Sequence, residues 1–182
     1  MNSEHCLPHL KDPAAGSREA VALLTGSERI FNVNLALIEL ENLNLSGKLM
    51  ICCCFSHSSL EGVNFDRLKA ETVFFDFCTL KDCSFRESEL KFAVFAGSTI
   101  ESCNFSHSNI LNCNFGGAHC RNSEFAESDL YATRFIATDL ERVGMTDCNL
   151  KRVTFSHAHL ADVNFRYSNI EDALFDPESG LS

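Results

Sequence analysis

The sequence predicts a solenoid, a chain that turns at short regular intervals and stacks its turns around one interior. Three observations predict it. From Ile30 to Phe175 every residue number divisible by five is apolar or small, thirty positions in succession with no slip of register. Two residues earlier, numbers ending in 3 and 8 form a second column, nearly all Ala, Ser, Thr, Cys or Val, in which Lys48 is the one charged member. Twelve of the sixteen phenylalanines lie in the five-residue column and nearly all alternate there with aliphatics, as in Phe125, Leu130, Phe135 and Leu140.

A period of five matches neither the 3.6 of a helix nor the 2 of a strand, so every fifth residue faces one interior only if the chain turns at each unit. The alternation of Phe with aliphatics adds a second period of ten, so each coil holds an even number of units. Between the columns lie Asn, Asp, Glu, Lys, Arg, Gly and His, which tolerate solvent. The small column lets opposing walls approach.

The solenoid is expected over 30–176, preceded by an irregular segment and capping helix at 1–29 and followed by a short tail at 177–182. Residues 17–24, SREAVALL, offer a Ser N-cap, an early Glu and then apolar residues, so a short helix is expected to cover the open first coil. Pro8 and Pro13 are placed in irregular chain before it. After Phe175 only DPESGLS remains.

Composition narrows the function. Without a shift in composition, 182 residues read as one domain. Fifteen Lys and Arg against twenty-five Asp and Glu leave a net charge of −10, which argues against direct nucleic-acid binding, since phosphate is held by basic clusters. No basic stretch followed by a long apolar core opens the chain, and no run approaches the ~20 apolar residues of a membrane span. A cytoplasmic location without a membrane partner is expected, and the ten cysteines then read as reduced thiols.

The stretch CNFSHSNILNCNFGGAHC at 103–120 resembles a zinc site in ligand density, with Cys103, His107, Cys113, His119 and Cys120. The register separates them. Cys103 and Cys113 belong to the small inward column, Cys120 to the large one, and both histidines to outward positions, so they cannot close one tetrahedron with ~2.0–2.3 Å bonds. No metal or cofactor is expected. Six cysteines (Cys53, Cys78, Cys83, Cys103, Cys113, Cys148) sit where small residues are required, whereas Cys52 and Cys54 point outward and are the more reactive thiols. No phosphate loop, nucleophile elbow or convergent His/Cys/Asp set is present, so the chain is read as a non-enzyme.

The units CNFSH at 103–107, CNFGG at 113–117, SDLYA at 128–132 and VNFRY at 163–167 resemble those of the pentapeptide-repeat proteins, whose unit runs roughly A-(D/N)-L-x-x. The resemblance covers about 30–175. It implies an all-β solenoid, a right-handed quadrilateral parallel β-helix with four units and hence twenty residues per coil. At ~4.8 Å per coil that makes about seven coils and a rod ~35 Å long. The family also implies a soluble interaction or scaffold module whose protein partner, and whose state as monomer or dimer, the residues do not name. Some members resemble duplex DNA and bind DNA gyrase, so the alternative is a DNA-mimicking modulator of gyrase or a related topoisomerase. The charge of this chain, about one per 3.5 Å of rod, is half that of DNA, which carries one per ~1.7 Å.

Sorting outward residues by side yields two candidate surfaces. Glu39, Glu41, Glu61, Asp82, Glu101, Asp139, Glu141 and Asp162 share an acidic side with Lys81, Arg121 and Arg142. At a corner of the nearly uncharged side, Cys52, Cys54, Phe74, Phe92 and Val94 are expected to point outward, flanked by Ile51, Phe77 and Leu111, a candidate protein-contact patch.

Overall fold

The computed structural model describes residues 13–176. Helix α1 (Pro13–Gly26) precedes twelve three-residue strands. These are β1 (Arg29–Phe31), β2 (Glu39–Glu41), β3 (Leu49–Ile51), β4 (Ser59–Glu61), β5 (Lys69–Glu71), β6 (Thr79–Lys81), β7 (Glu89–Lys91), β8 (Thr99–Glu101), β9 (Asn109–Leu111), β10 (His119–Arg121), β11 (Asp139–Glu141) and β12 (His159–Ala161). All pairings are parallel, and each residue pairs with the one twenty positions on, as in Leu60, Leu80, Ile100, Cys120, Leu140 and Leu160. Odd strands to β9 build one side of the rod, and the even strands with β11 build the opposite side.

The other two sides are single-residue parallel bridges. One runs from Asn34 through Cys54, Phe74, Val94, Asn114, Arg134 and Thr154 to Leu174, the other from Asn44 through Asn64, Ser84, Asn104, Glu124 and Gly144 to Asn164. The chain is therefore a four-sided parallel β-solenoid of about seven coils with one short N-terminal helix. Among the described residues, no helix is long and apolar enough to cross a membrane.

Each unit turns in the same way. Every residue whose number ends in 2 or 7, from Asn32 to Asp172, has a positive φ, the conformation a type II turn requires at its third residue. The residue after it donates back across the turn, as Ser58 N–H does to Phe55 O at 3.1 Å. Asn at the second position of a unit closes the turn from the side. The Oδ1 atoms of Asn34, Asn44, Asn64, Asn104 and Asn114 each accept the backbone N–H two residues on, at 2.8–3.1 Å, the Asx geometry for which Asn is favoured in turns.

The interior consists of two phenylalanine ladders. Within a ladder, rings one coil apart stack, as Phe95 and Phe115 do at 4.7 Å and 7°. Between ladders they meet edge to face, as Phe95 and Phe105 do at 5.8 Å and 89°. Both arrangements satisfy the ring quadrupole. Where the large column holds a smaller residue, the small column grows. Leu68 stands beside Ala70, and Ile38 and Leu43 stand between Leu35, Leu40 and Leu45, so volume is conserved along the rod.

The small column does more than fit. Its hydroxyls and thiols donate to the carbonyl of the large residue twenty-three positions earlier. Ser98 Oγ reaches Phe75 O at 2.6 Å, Ser108 Oγ reaches Phe85 O at 2.7 Å and Cys78 Sγ reaches Phe55 O at 2.9 Å. No buried side-chain N or O atom among the described residues lacks a partner. Lys48, the exception in this column, is nearly buried and sends its ammonium to Ser27 O at 2.7 Å.

One expectation is corrected. The helix begins at Pro13, not at Ser17, because proline at a first helical position loses no intrahelical hydrogen bond and has its φ already set. Ser17 is inside the helix, and its Oγ accepts the N–H of Glu39 in β2 at 3.1 Å. Ala20 and Leu24 are fully buried from the same helix, which covers the first coil. Pro8 and the tail at 177–182 lie outside the described residues.

Replacing Phe115 with Ala removes a ring stacked on both Phe95 and Phe135, and chemical denaturation should show a loss of about 3–5 kcal/mol. His107→Ala, which removes only the exposed 3.3 Å pair with Glu127, should change stability by less than about 0.5 kcal/mol. Thr72 is β-branched at φ 54°, so Thr72→Gly should raise the melting free energy by roughly 0.5–1 kcal/mol, strain relief exceeding the entropy of Gly.

Candidate interaction surface

The residues that resemble a zinc site separate as the register requires. Cys103, Cys113 and Cys120 are buried and His107 and His119 are exposed. No three His, Cys, Asp or Glu side chains among the described residues group to hold a metal ion. Burial pushes the thiols of Cys113 and Cys120 up to about 12, and the neighbouring Cys83 thiol together with burial pushes Cys103 up as well. These thiols stay protonated near neutral pH and neither ligate nor attack. Cys52 is exposed and Cys54 half-buried.

Four phenylalanines remain outside the core. Phe31, Phe74, Phe77 and Phe92 are 45, 37, 58 and 54% exposed. Three of them, with Cys54 and Val94, stand on one side of the rod, and Phe31 stands on the adjacent side, in the column of Ile51. The middle of that side is the bridge column Cys54, Phe74 and Val94. One corner carries Cys52, Thr72 and Phe92, and the other His57, Phe77 and Gly97, all at positive φ. The Phe77 ring stacks on His57 at 5.1 Å and 9°, and it fills the space a side chain at Gly97 would need, 2.6 Å from an ideal Cβ. Leu37, Ile136 and Leu174, exposed as well, extend the same side toward both ends.

Ile51 and Leu111 do not join this cluster. They are half-buried on the adjacent side, in a column where Glu71 and Lys91 stand between them. Alternation of inward and outward residues cannot reveal that, whereas the twenty-residue register does.

The acidic residues do share a side. Glu39, Glu41, Glu61, Glu101, Asp139 and Glu141 lie in the sheet containing β2 and β12, with Asp82 and Asp162 at its corner. Its bases are engaged there. Lys81 pairs with Glu61 at 3.0 Å, Arg121 with Glu141 at 3.2 Å, and Arg142 with Glu141. Asp139 sits between His159 at 3.0 Å and His119 at 3.5 Å, one coil to either side. His119 and His159 stand two coils apart, and the carboxylate occupies the intervening coil.

The sequence comparisons agree with this geometry. A model of the pentapeptide repeat region matches residues 98–175, and a model of eight pentapeptide repeats matches residues 75–110. Together they run from 75 to 175, more than half of the chain, and the chain belongs to the pentapeptide-repeat family. No curated protein matches it. Among solved structures, HetL from Nostoc sp. strain PCC 7120, involved in heterocyst differentiation regulation, is 14% identical over 86% of this chain and 92% of its own, with a TM-score of 0.37. Rfr23 from Cyanothece 51142 is 13% identical over 90% and 99%, with a TM-score of 0.41. Full-length QnrB1, a plasmid-mediated fluoroquinolone resistance protein, is 13% identical over 78% and 83%, with a TM-score of 0.40.

The hydrogen bond from His159, followed by that from His119 and the charge of Arg121, holds the Asp139 carboxyl below its ordinary value. A depressed carboxyl stabilises above its unfolded value of about 3.9 and loses that contribution as pH falls through the folded value. Asp139→Asn should therefore lower stability at neutral pH by at most about 1 kcal/mol. Thermal melts of the two proteins should converge as pH falls through the lowered folded value of Asp139.

Proposed function

We propose that this protein is a non-enzymatic interaction module that docks a protein through the uncharged side of its rod. The observation that supports this is a local conflict between stability and sequence. The position where Asn closes the turn in other coils is Cys54, Phe74 and Val94 in three successive coils, and none of these side chains can do so. The neighbouring positive-φ positions, which favour Gly, Asn and Asp, hold Cys52, Thr72, Phe77 and Phe92. Other coils also depart from the preferred residues at one or the other position, and what sets these three apart is that aromatic and apolar side chains, exposed or half-buried, occupy both at once. Sites where local rules fail together are where function is sought.

The alternative, a DNA-mimicking modulator of DNA gyrase, rests on the acidic side. All three bases of that side are bound to its own carboxylates, and the field of the remaining acids is sparser than that of a phosphate backbone. The uncharged side is therefore favoured.

Phe74→Asn with Phe92→Asn restores the preferred residue at both positions. The double variant should melt no lower than the parent and should lose partner proteins in affinity enrichment from the native cell. Equal recovery of the same proteins by both would sink the reading. Inhibition of gyrase supercoiling by parent and variant alike would favour the acidic side.

A further inference from the structure

We propose that the uncharged side binds a second copy of this chain, the two rods antiparallel and overlapping along their whole length. The proposal rests on reading that side as a docking surface and adds its occupant. In the six coils between Asn32 and Ala137, Asp76 and Arg134 are the only charged residues on this side, and the last two coils add Arg152, Asp172 and Asp176. Elsewhere a chain of net charge −10 repels its own copies, so this is the side on which two copies approach with least opposition.

Two faces related by a two-fold axis across the rods oppose coils in reverse order. The side has eight rungs, from Asn34 to Leu174. Complete overlap places the axis between the Val94 and Asn114 rungs, and the Phe74 rung of one copy then faces the Arg134 rung of the other. Asp76 is in the first of these rungs, so Asp76 and Arg134 face each other twice, once on each side of the axis, while Arg152 faces the uncharged Cys54 rung and Asp172 and Asp176 face the uncharged Asn34 rung. Maximum overlap and the pairing of Asp76 with Arg134 select the same register. Asp76 accepts only a hydroxyl hydrogen bond from Ser56, at 2.5 Å, and Arg134 forms no ion pair among the described residues, so both are available.

Volume follows the same rule. Phe92 faces the coil that carries Gly116 and Gly117, and the coil of Phe74 and Phe77 faces one that carries Ala132 and Ala137 beside Arg134 and the exposed Ile136. In the end rungs, exposed Leu37 faces exposed Leu174. A parallel pair would instead set Asp76 on Asp76, Arg134 on Arg134 and Phe on Phe. Self-complementarity of one patch about a two-fold axis is what an isologous dimer requires.

The area sets the strength. A side ~35 Å long and three residues, ~10 Å, wide covers about 350 Å² per copy, below the ~800 Å² per partner of a standard interface. The dimer should therefore be reversible, with a Kd between about 10 μM and 1 mM.

Sedimentation velocity of the full chain over that range should show a concentration-dependent shift from monomer to dimer. Asp76→Arg and Arg134→Asp, each checked for an unchanged melt, should each weaken dimerisation about tenfold or more by setting like charges against each other. An equimolar mixture of the two variants should recover it, because each then supplies the charge the other needs. A parent that stays monomeric to about 1 mM, or a dimer indifferent to both substitutions, overturns the proposal. If the parent is monomeric while enrichment of other proteins still depends on Phe74 and Phe92, the docking side stands and only its assigned occupant falls.

Discussion

Everything in this fold depends on a coil of twenty residues in which like stacks on like. Backbone N–H groups of one coil bond carbonyls of the next, at 2.7 Å between Phe75 N and Val94 O for example, and this parallel ladder forces side chains twenty apart to share a column. An inward column must then be filled by residues that pack against copies of themselves. Phenylalanine meets that demand at 4.7–5.3 Å within a ladder and edge to face between ladders. Each buried ring contributes roughly 1.5–3 kcal/mol by burial alone. The small column must bring the walls together and satisfy the carbonyls that the turns leave half-used, so it is Ser, Thr and Cys far more than Ala. Size and hydrogen bonding select the same residues there, and a thiol-rich column results.

The same constraint governs the outside. A surface residue has as its nearest neighbours the residues one coil before and after, so ion pairs run along columns. Lys69 reaches Glu89 at 3.2 Å, Lys151 reaches Glu171 at 3.0 Å, and Asp139 is held from both sides by histidines. These pairs are exposed and individually weak. Their effect is to neutralise charge locally along the sides they occupy, which leaves the uncharged side distinguished by composition and not by any lack of neighbours.

The interior was legible in the sequence because the inward columns admit so few residue types. Phe55 to Phe175 could be assigned to ladders from spacing, and once the twenty-residue coil is taken from the family resemblance every bridge follows. Much of the rest was not legible, for physical reasons that differ from place to place. The positive-φ column cannot be recognised from its residues, since Leu37, Thr72, Phe77 and Arg67 occupy it beside Gly47 and Asn42. There the inter-coil hydrogen bonds dictate the backbone and override local preference. The helix start was obscured because Pro13 reads as a breaker, although proline is tolerated at the first helical position. Asp139 between His119 and His159 was hidden because histidines forty residues apart lie two coils from each other, and the group that joins them is the unlike residue of the intervening coil.

A solenoid whose coils touch only their neighbours can vary one side without disturbing the others. That independence gives the exposed aromatics their meaning. Twelve phenylalanines complete the interior from Phe55 to Phe175, so nothing in the packing calls for Phe74, Phe77 and Phe92. The space for the Phe77 ring is made by the absence of a side chain at Gly97, which shows that the sequence accommodates this exposed ring one coil away. Residues that add nothing to the core, occupy positions where other types fold better, and are given room by a glycine twenty residues on have a reason for being there that lies outside the folded chain. In a rod with charge on its other sides, that is the argument for the proposed contact with another molecule.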